Sequence, residues 1–299
     1  MSAVDGYPAG EFVLPRSERV VYGVGCVQRL RAYVDALGGR RALLLTGRTL
    51  ARQTELVDRL TALLGRACVG VFAETQAHVP VETVFAAAER ARVDRADLLI
   101  SFGGGSVIDT AKAVAAVLAL GITSPEQLDP YFISVEEGSI RVPPIAGSVL
   151  PHLAIPTTLS AGEFTGTAGI TDPERRRKFL LRDPKLTPRI VLLDPEVTLK
   201  TPLGLWTSTG IRALDHAVEA ICGKQHNPIT DALALAALEI LFACLPASQA
   251  QPEALAPRGK AQLAAGMAIW AMSGAGSGLS HGIGYGLGAR FGVPHGICS

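Results

Sequence analysis

Net charge is nearly absent from this chain. Its 28 Lys and Arg are offset by 27 Asp and Glu, which leaves +1. The one basic run, Arg175–Lys178, reads as a solvated turn. That removes the electrostatic case for nucleic acid, whose binding rests on clustered cations. Paired cysteines are missing too. Cys26, Cys68, Cys222, Cys244 and Cys298 are scattered with no CxxC spacing. This argues for a reducing compartment and against a disulfide scaffold or a zinc ribbon. The opening residues, MSAVDGYPAGEF, lack the basic region and apolar run of a secretory leader, so the expected location is cytoplasmic. No internal repeat or low-complexity segment stands out. One stretch lacks charge altogether: between Lys260 and Arg290 lie 29 residues without Asp, Glu, Lys or Arg, with Gly278, Gly282 and Gly286 at GxxxG spacing. Gln262, His281, Tyr285 and several serines interrupt it, and Ala and Gly replace Leu and Ile. It reads as one or two buried helices, with no membrane partner.

What is present organises around Leu98–Lys112, LLISFGGGSVIDTAK. Leu98–Ser101 is a short buried strand. Gly103, Gly104 and Gly105 follow, and Ser106 opens a helical pattern through Val107, Ala111, Val114 and Leu118. A strand that breaks into glycines and restarts as a helix puts unsatisfied backbone N–H groups at a helix N-terminus, an anion site. Ser106 can cap the helix or hydrogen-bond a phosphate oxygen. The spacing is not the GxGxxG fingerprint.

The flanking pattern is alternating strand and helix. Residues 11–22 read as an edge hairpin or strand pair. Cys26–Leu37 is helical and stops at Gly38–Gly39. Arg41–Thr46 is a strand, and Gly47–Thr49 turns into one helix, Leu50–Leu64. Ala67–Ala73 is a strand and Val81–Val93 a helix. Pro125–Glu137 is loop or short helix. His152–Pro156 and Arg189–Leu193 are further strands. This alternation predicts a doubly wound, mostly parallel α/β sheet that binds a dinucleotide, over residues 1–200. After Pro202 only helical patterns remain: Thr209–Cys222, Ile229–Cys244, Arg258–Met272 and Ser280–Arg290. Residues 201–299 therefore read as an all-α domain. With 48% hydrophobic and 18% charged residues there is ample core for both. Sites in such proteins usually lie between domains, at the strand C-termini.

Three of the six histidines, His216, His281 and His295, fall in the helical half in glycine-rich or apolar surroundings. They are either buried core residues or metal and catalytic groups, such as a divalent-metal site completed by a carboxylate or water. One turn before His216 stands Arg212, which has no lone pair to give a cation. Asp215 points about 100° away from His216 round the helix, and Glu219 lies nearer its face. Arg212 is either an ion-pair partner or the binder of an anionic substrate carboxylate.

Five segments together resemble the iron-containing (group III) alcohol dehydrogenase family of the dehydroquinate-synthase-like superfamily. They are GGGSVIDTAKA at 103–113, IPTTLSAGEFT at 155–165, DPKLTPRIVLLDP at 183–195, TGIRALDHAVEA at 209–220 and SHGIGYGLGARFGVPHG at 280–296. The resemblance implies an N-terminal dinucleotide-binding domain, a helical catalytic domain, and hydride transfer between nicotinamide and a carbonyl or alcohol carbon. In metal-dependent members an Asp and three His hold iron or zinc. The His positions are His216, His281 and His295, but the Asp position is Arg212. Tyr285 replaces a further family His and can still donate a hydrogen bond. The maleylacetate reductase branch also lacks the Asp, and the resemblance to it implies metal-free reduction of a dicarboxylate. The implied cofactor contacts are Gly104, Gly105, Ser106 and Asp109, then Thr157, Thr158 and Lys178. Gly47 replaces an acidic residue that favours NAD, and Arg48 follows it, so NADPH is expected to serve at least as well as NADH.

Family members continue beyond the PHG motif, so the helical domain is expected to be incomplete. The leading expectation is an NAD(P)-dependent reductase of a small carbonyl compound, with a carboxylated keto substrate in view; an iron or zinc alcohol dehydrogenase with an altered ligand set and a truncated non-catalytic binding subunit stay open. Sugar-phosphate cyclases share the fold, but the helical half is poor in Lys. A homodimer is the expected assembly.

Overall fold

Short apolar runs become strands, and the amphipathic stretches between them become helices, in the computed structural model, which describes residues 17–136, 139–175, 177–291 and 297. The chain divides into two compact units. Among the described residues, one holds 17–157 together with Gly162–Lys200; the other holds Thr158–Ala161 and 201–291.

The first unit is built on a six-stranded sheet, wholly parallel. Its strands are β1 (Arg19–Tyr22), β2 (Ala42–Gly47), β3 (Cys68–Thr75), β4 (Leu98–Gly103), β7 (His152–Pro156) and β10 (Ile190–Leu193), in the spatial order β1-β10-β7-β4-β2-β3. Two antiparallel pairs stand apart: β5 (Ser134–Glu136) with β6 (Ser139–Arg141), and β8 (Thr167–Asp172) with β9 (Arg177–Arg182). Side chains alternate across a strand, and here the alternation sorts two cores. Leu43, Leu45 and Leu99 pack with α4 (Val81–Val93) and α5 (Gly105–Ala119). Leu44, Ile100, Phe102 and Leu153 face the other way, onto α1 (Leu30–Ala36) and α3 (Leu56–Leu64). Helices on both faces are what a parallel sheet requires. The expected α/β class is the one observed.

Three expectations need correction. Of the hairpin expected at 11–22, the described part is one strand, β1, which runs parallel to β10; residues before 17 lie outside the described ones. The single helix expected at Leu50–Leu64 is two, α2 (Arg48–Gln53) and α3, because Thr54 goes extended and its Oγ1 donates to the Leu50 carbonyl (2.6 Å) while accepting from the Leu56 amide (3.3 Å). The β8–β9 hairpin was not expected at all. Only its turn, at the basic run, was.

A buried lysine fastens that hairpin to the sheet layer. Lys112, on α5, is wholly buried. Its Nζ donates to the carbonyls of Gly162 (2.6 Å) and Thr167 (2.8 Å) and meets Asp109 Oδ1 at 3.3 Å. Asp109 in turn accepts from the Gly169 amide of β8 (3.1 Å). Burial lowers the Lys112 pKa against the pull of Asp109. At the other end of the sheet, buried Asp194 accepts amides of Gly25 and Val27 and caps α6 (Pro195–Thr198) through Glu196 N.

The second unit packs α7 (Leu203–Cys222), α8 (Pro228–Ala250), α9 (Leu255–Ala275) and α10 (Leu279–Phe291). Alanines line the contact: Ala217, Ala220, Ala234, Ala237, Ala268, Ala271 and Ala275. Such small residues let helix backbones approach closely. Trp206 is fully buried, gives its Nε1–H to Ser248 Oγ (3.0 Å) and stacks under the Arg258 guanidinium. The uncharged stretch after Lys260 is broken at 276–278 between α9 and α10 and forms two helices. Among the described residues α8 alone is long and apolar enough to span a bilayer, and Ala234, Ala237 and Leu241 bury one side of it within the unit.

Replacing Lys112 by Met takes a charged donor from the Gly162 and Thr167 carbonyls and leaves Asp109 short of a partner. The expected cost is about 3 kcal/mol, read as a lower urea midpoint at unchanged m-value.

Candidate functional site

The sheet winds outward from β2 to β3 and then restarts on the other side of β2 with β4, continuing through β7 to β10. The winding therefore reverses between β2 and β4, where doubly wound sheets leave a crevice at the strand C-termini. The glycine turn sits there. Gly103 ends β4 with φ +154°, and a Cβ on it would lie 2.6 Å from Val107 Cγ2. Gly104 is extended and precedes α5, so Gly105 and Ser106 present first-turn amides that no carbonyl of the helix can reach. Gly162 brings its backbone against this turn: a Cβ there would be 4.0 Å from Gly105 Cα. The result is an open, backbone-lined cradle at a helix N-terminus, suited to an anion.

Of the expected contacts in this unit, Ser106 Oγ accepts the His78 amide (3.2 Å), and Thr157 donates its amide to the Gly103 carbonyl (3.0 Å). Lys178 lies on β9 with its aliphatic end over Gly169. Asp109 is taken up by Gly169 and Lys112 as a brace. Gly47 closes β2 opposite Thr75, and Arg48 forms an ion pair with Glu74. Thr158 falls in the helical unit and is buried.

Sequence reasoning missed two neighbours of the turn. His78 and Val79 both adopt left-handed backbone, φ +65° and +57°, costly for residues with a Cβ. Thr171 holds them there, giving its Oγ1–H to the His78 carbonyl (2.6 Å) and its amide to that of Val79 (2.9 Å). Burial and the Lys178 charge lower the His78 pKa. Only the Val79–Pro80 step hinted at a special turn. Glu163, in the 155–165 segment, is buried beside Lys112, and its Oε2 has no hydrogen-bond partner among the described residues. Desolvation raises its pKa to about 7.

In the helical unit, α7 presents Arg212, Asp215, His216 and Glu219 at i, i+3, i+4 and i+7, one face of the helix. Arg212, His216 and Glu219 are buried. Arg212 Nη1 donates to Asp215 Oδ2 (3.0 Å), as does Ser280 Oγ (3.0 Å). Glu219 accepts the amides of Ser280 (2.7 Å) and His281 (3.3 Å) and pairs with His281 Nδ1. It thus places a negative charge on the N-terminus of α10. Gly278 makes room for it, since a Cβ there would be 2.8 Å from Glu219 Oε1. Desolvation pushes Glu219 up, but the Gly278 amide and His281 outweigh it, and the net shift is downward. Burial and the Arg212 charge hold His281 below the usual histidine range, against Glu219 and Asp215. The His216 and His281 rings lie 5.1 Å apart. Tyr285 follows one turn later on α10, with its side chain outside the described ones, and His295 lies outside the described residues.

Ligand atoms of Asp215, Glu219 and His281 lie within 4.8 Å of one another. The set does not fit a divalent cation. A fixed guanidinium already neutralises Asp215, and His281 Nδ1 and Glu219 bond each other.

A parallel, doubly wound sheet with a glycine turn at its reversal, followed by a helical unit carrying buried histidines, defines a class of nucleotide-binding two-part proteins. Residues 17–195 match the family model for iron-containing alcohol dehydrogenase, and residues 206–299 match that for the C-terminal part of the Fe-containing alcohol dehydrogenase family. The chain belongs to this family. It is 33% identical to the NAD-dependent methanol dehydrogenase of Bacillus methanolicus, over 96% of this chain and 72% of that protein. It is 32% identical to a maleylacetate reductase of Burkholderia cepacia, over 82% of this chain and 60% of that one. The structure of sulfoacetaldehyde reductase from Bifidobacterium kashiwanohense in complex with NAD+ matches with a TM-score of 0.86 and 25% identity, over 97% of this chain and 73% of that one. The chain thus spans about 60 to 73% of these relatives.

Glu163 supplies a pH test. Its carboxyl titrates near 7 in the fold and near 4.3 in an unfolded chain. The folded form holds the extra proton between those values, so stability is full below the lower one and is lost as pH rises through the upper. Glu163→Gln is expected to raise Tm relative to the parent more at pH 8 than at pH 5.

Proposed function

We propose that this chain is an NAD(P)H-dependent oxidoreductase that passes hydride between nicotinamide and the carbonyl carbon of a small, carboxylate-bearing substrate. The observation that carries the finer part is Arg212, buried beside His216 and His281 where a metal ligand would otherwise stand. The glycine cradle and family membership support the coarser part.

Gly104, Gly105 and Ser106 hold the cofactor's pyrophosphate through backbone amides, with Gly47, Arg48, Thr157, Thr158 and Lys178 as further contacts. The bound dihydronicotinamide supplies the hydride. Arg212 recognises the substrate carboxylate with its planar fork of donors and favours the charge that develops on the carbonyl oxygen. Glu219 engages His281 Nδ1, so proton exchange with the substrate oxygen falls to Nε2. His216, Tyr285 and His295 complete the polar set. The reading includes a cytoplasmic homodimer, with neither nucleic acid nor membrane as partner.

The runner-up, iron or zinc held by His216, His281 and His295, draws on the approach of the two described rings. Elemental analysis of untagged protein, beside NADPH oxidation with and without chelator, separates the two. The expected result is activity on a keto acid that persists in chelator. Activity that vanishes with chelator and returns with iron or zinc overturns the metal-independent reading, and nucleotide binding without turnover favours a non-catalytic subunit. Arg212→Gln is expected to raise KM for a keto acid about tenfold or more and to leave a neutral aldehyde little affected, with Arg212→Lys in between.

A further inference from the structure

The end of β2 is the place for the adenosine ribose if a dinucleotide lays its pyrophosphate on the turn after β4. The strands fix this. Thr46 pairs with Phe102, so Gly47 lies beside Gly103, and Gly47 pairs with Thr75 on its other flank. Neighbouring strands lie about 4.8 Å apart, which brings the last residues of β3 within one strand spacing of the ribose position. In such sheets an acidic group at the end of β2 binds the ribose hydroxyls and repels a 2′-phosphate. Here that position is Gly47, which has no side chain to offer.

The acid arrives from the next strand instead. Glu74, next to last on β3, forms an ion pair through one carboxylate oxygen with Arg48 Nε, and its other oxygen lies 3.6 Å from Arg52 Nη2. The three side chains are 40%, 63% and 71% exposed, in the order Glu74, Arg48, Arg52. Solvated pairs of this kind add little to stability, so a bracing role does not account for two guanidinium groups gathered on one carboxylate at the mouth of the crevice.

We propose that Glu74 sets the cofactor preference of this chain. This rests on the nucleotide-binding reading above. Glu74 offers a carboxylate to a ribose 2′-hydroxyl, and it holds Arg48 and Arg52, the two cations that a 2′-phosphate would seek. A 2′-phosphate competes with Glu74 for both arginines and meets its negative charge. NADH and NADPH are therefore both admitted, with Glu74 opposing the phosphorylated form.

Fluorescence titration of NADH and NADPH against the full chain, without substrate, tests this. Glu74→Gln is expected to shift the ratio of the two Kd values toward NADPH by about tenfold, the scale of one charge-assisted hydrogen bond, and less at high salt. Arg48→Gln is expected to shift it toward NADH. Tm serves as the control for folding, and little change is expected at these exposed positions. Measurable binding with an unchanged ratio in both variants overturns the role of Glu74 and leaves the nucleotide site standing. Binding of neither nucleotide by the parent chain overturns the nucleotide reading itself, and this inference with it.

Discussion

The structure depends on one backbone reversal. At Gly103 the central strand ends at φ +154°, and Val107 occupies the space a side chain would need. The turn is forced to be tight because β4 is buried along its whole length and α5 must begin at once to cover it. A Cβ at Gly103 would have to push Val107 out of the core that α5 shares with α4. Fold and cradle are thus the same constraint: the close approach that lets α5 cover the sheet also exposes its first amides at the strand C-termini.

Around that turn the polar groups fall into two kinds. Lys112 and Asp109 spend their hydrogen bonds inside the protein, joining α5 to the 162–169 segment. They shape the cradle from behind. His78, held in strained backbone by Thr171, and Ser106 stand at its rim. The distinction matters for Asp109, which motif reading places among the cofactor contacts. Its two oxygens already serve the Gly169 amide and Lys112, so its effect on a ligand would pass through the position of β8.

Much of the first unit was legible in the sequence because its strands are continuous apolar runs. Val81–Val93 and His152–Pro156 coincide with the observed elements. The break at Thr54 was not legible, since a Thr that closes one helix and accepts the Leu56 amide with its Oγ1 carries no Gly or Pro signal. The β8–β9 hairpin was hidden for another reason. Its two strands, TAGITD and RKFLLR, are only partly buried and lack clean alternation. In the helical half, the spacing of Arg212, Asp215, His216 and Glu219 was visible, but their partners were not. Ser280 and His281 lie more than sixty residues away in sequence, and only the docking of α10 on α7 brings them to Asp215 and Glu219.

That docking bears on how one helix face could exchange metal chemistry for anion recognition. A carboxylate serves a cation best when its negative charge is left uncompensated until the ion arrives. On α7 the compensation is built in: Arg212 answers Asp215, and the α10 N-terminus with His281 answers Glu219. Once the charges are balanced internally, a cation gains little by entering. An anion can still gain from a guanidinium whose carboxylate partner shares itself with Ser280. On the proposed reading, one substitution at the position of Arg212 would change both the sign of the favoured ligand and the work left to the histidines, while the helix, its alanine-lined packing and the Glu219 contacts with α10 stay as they are.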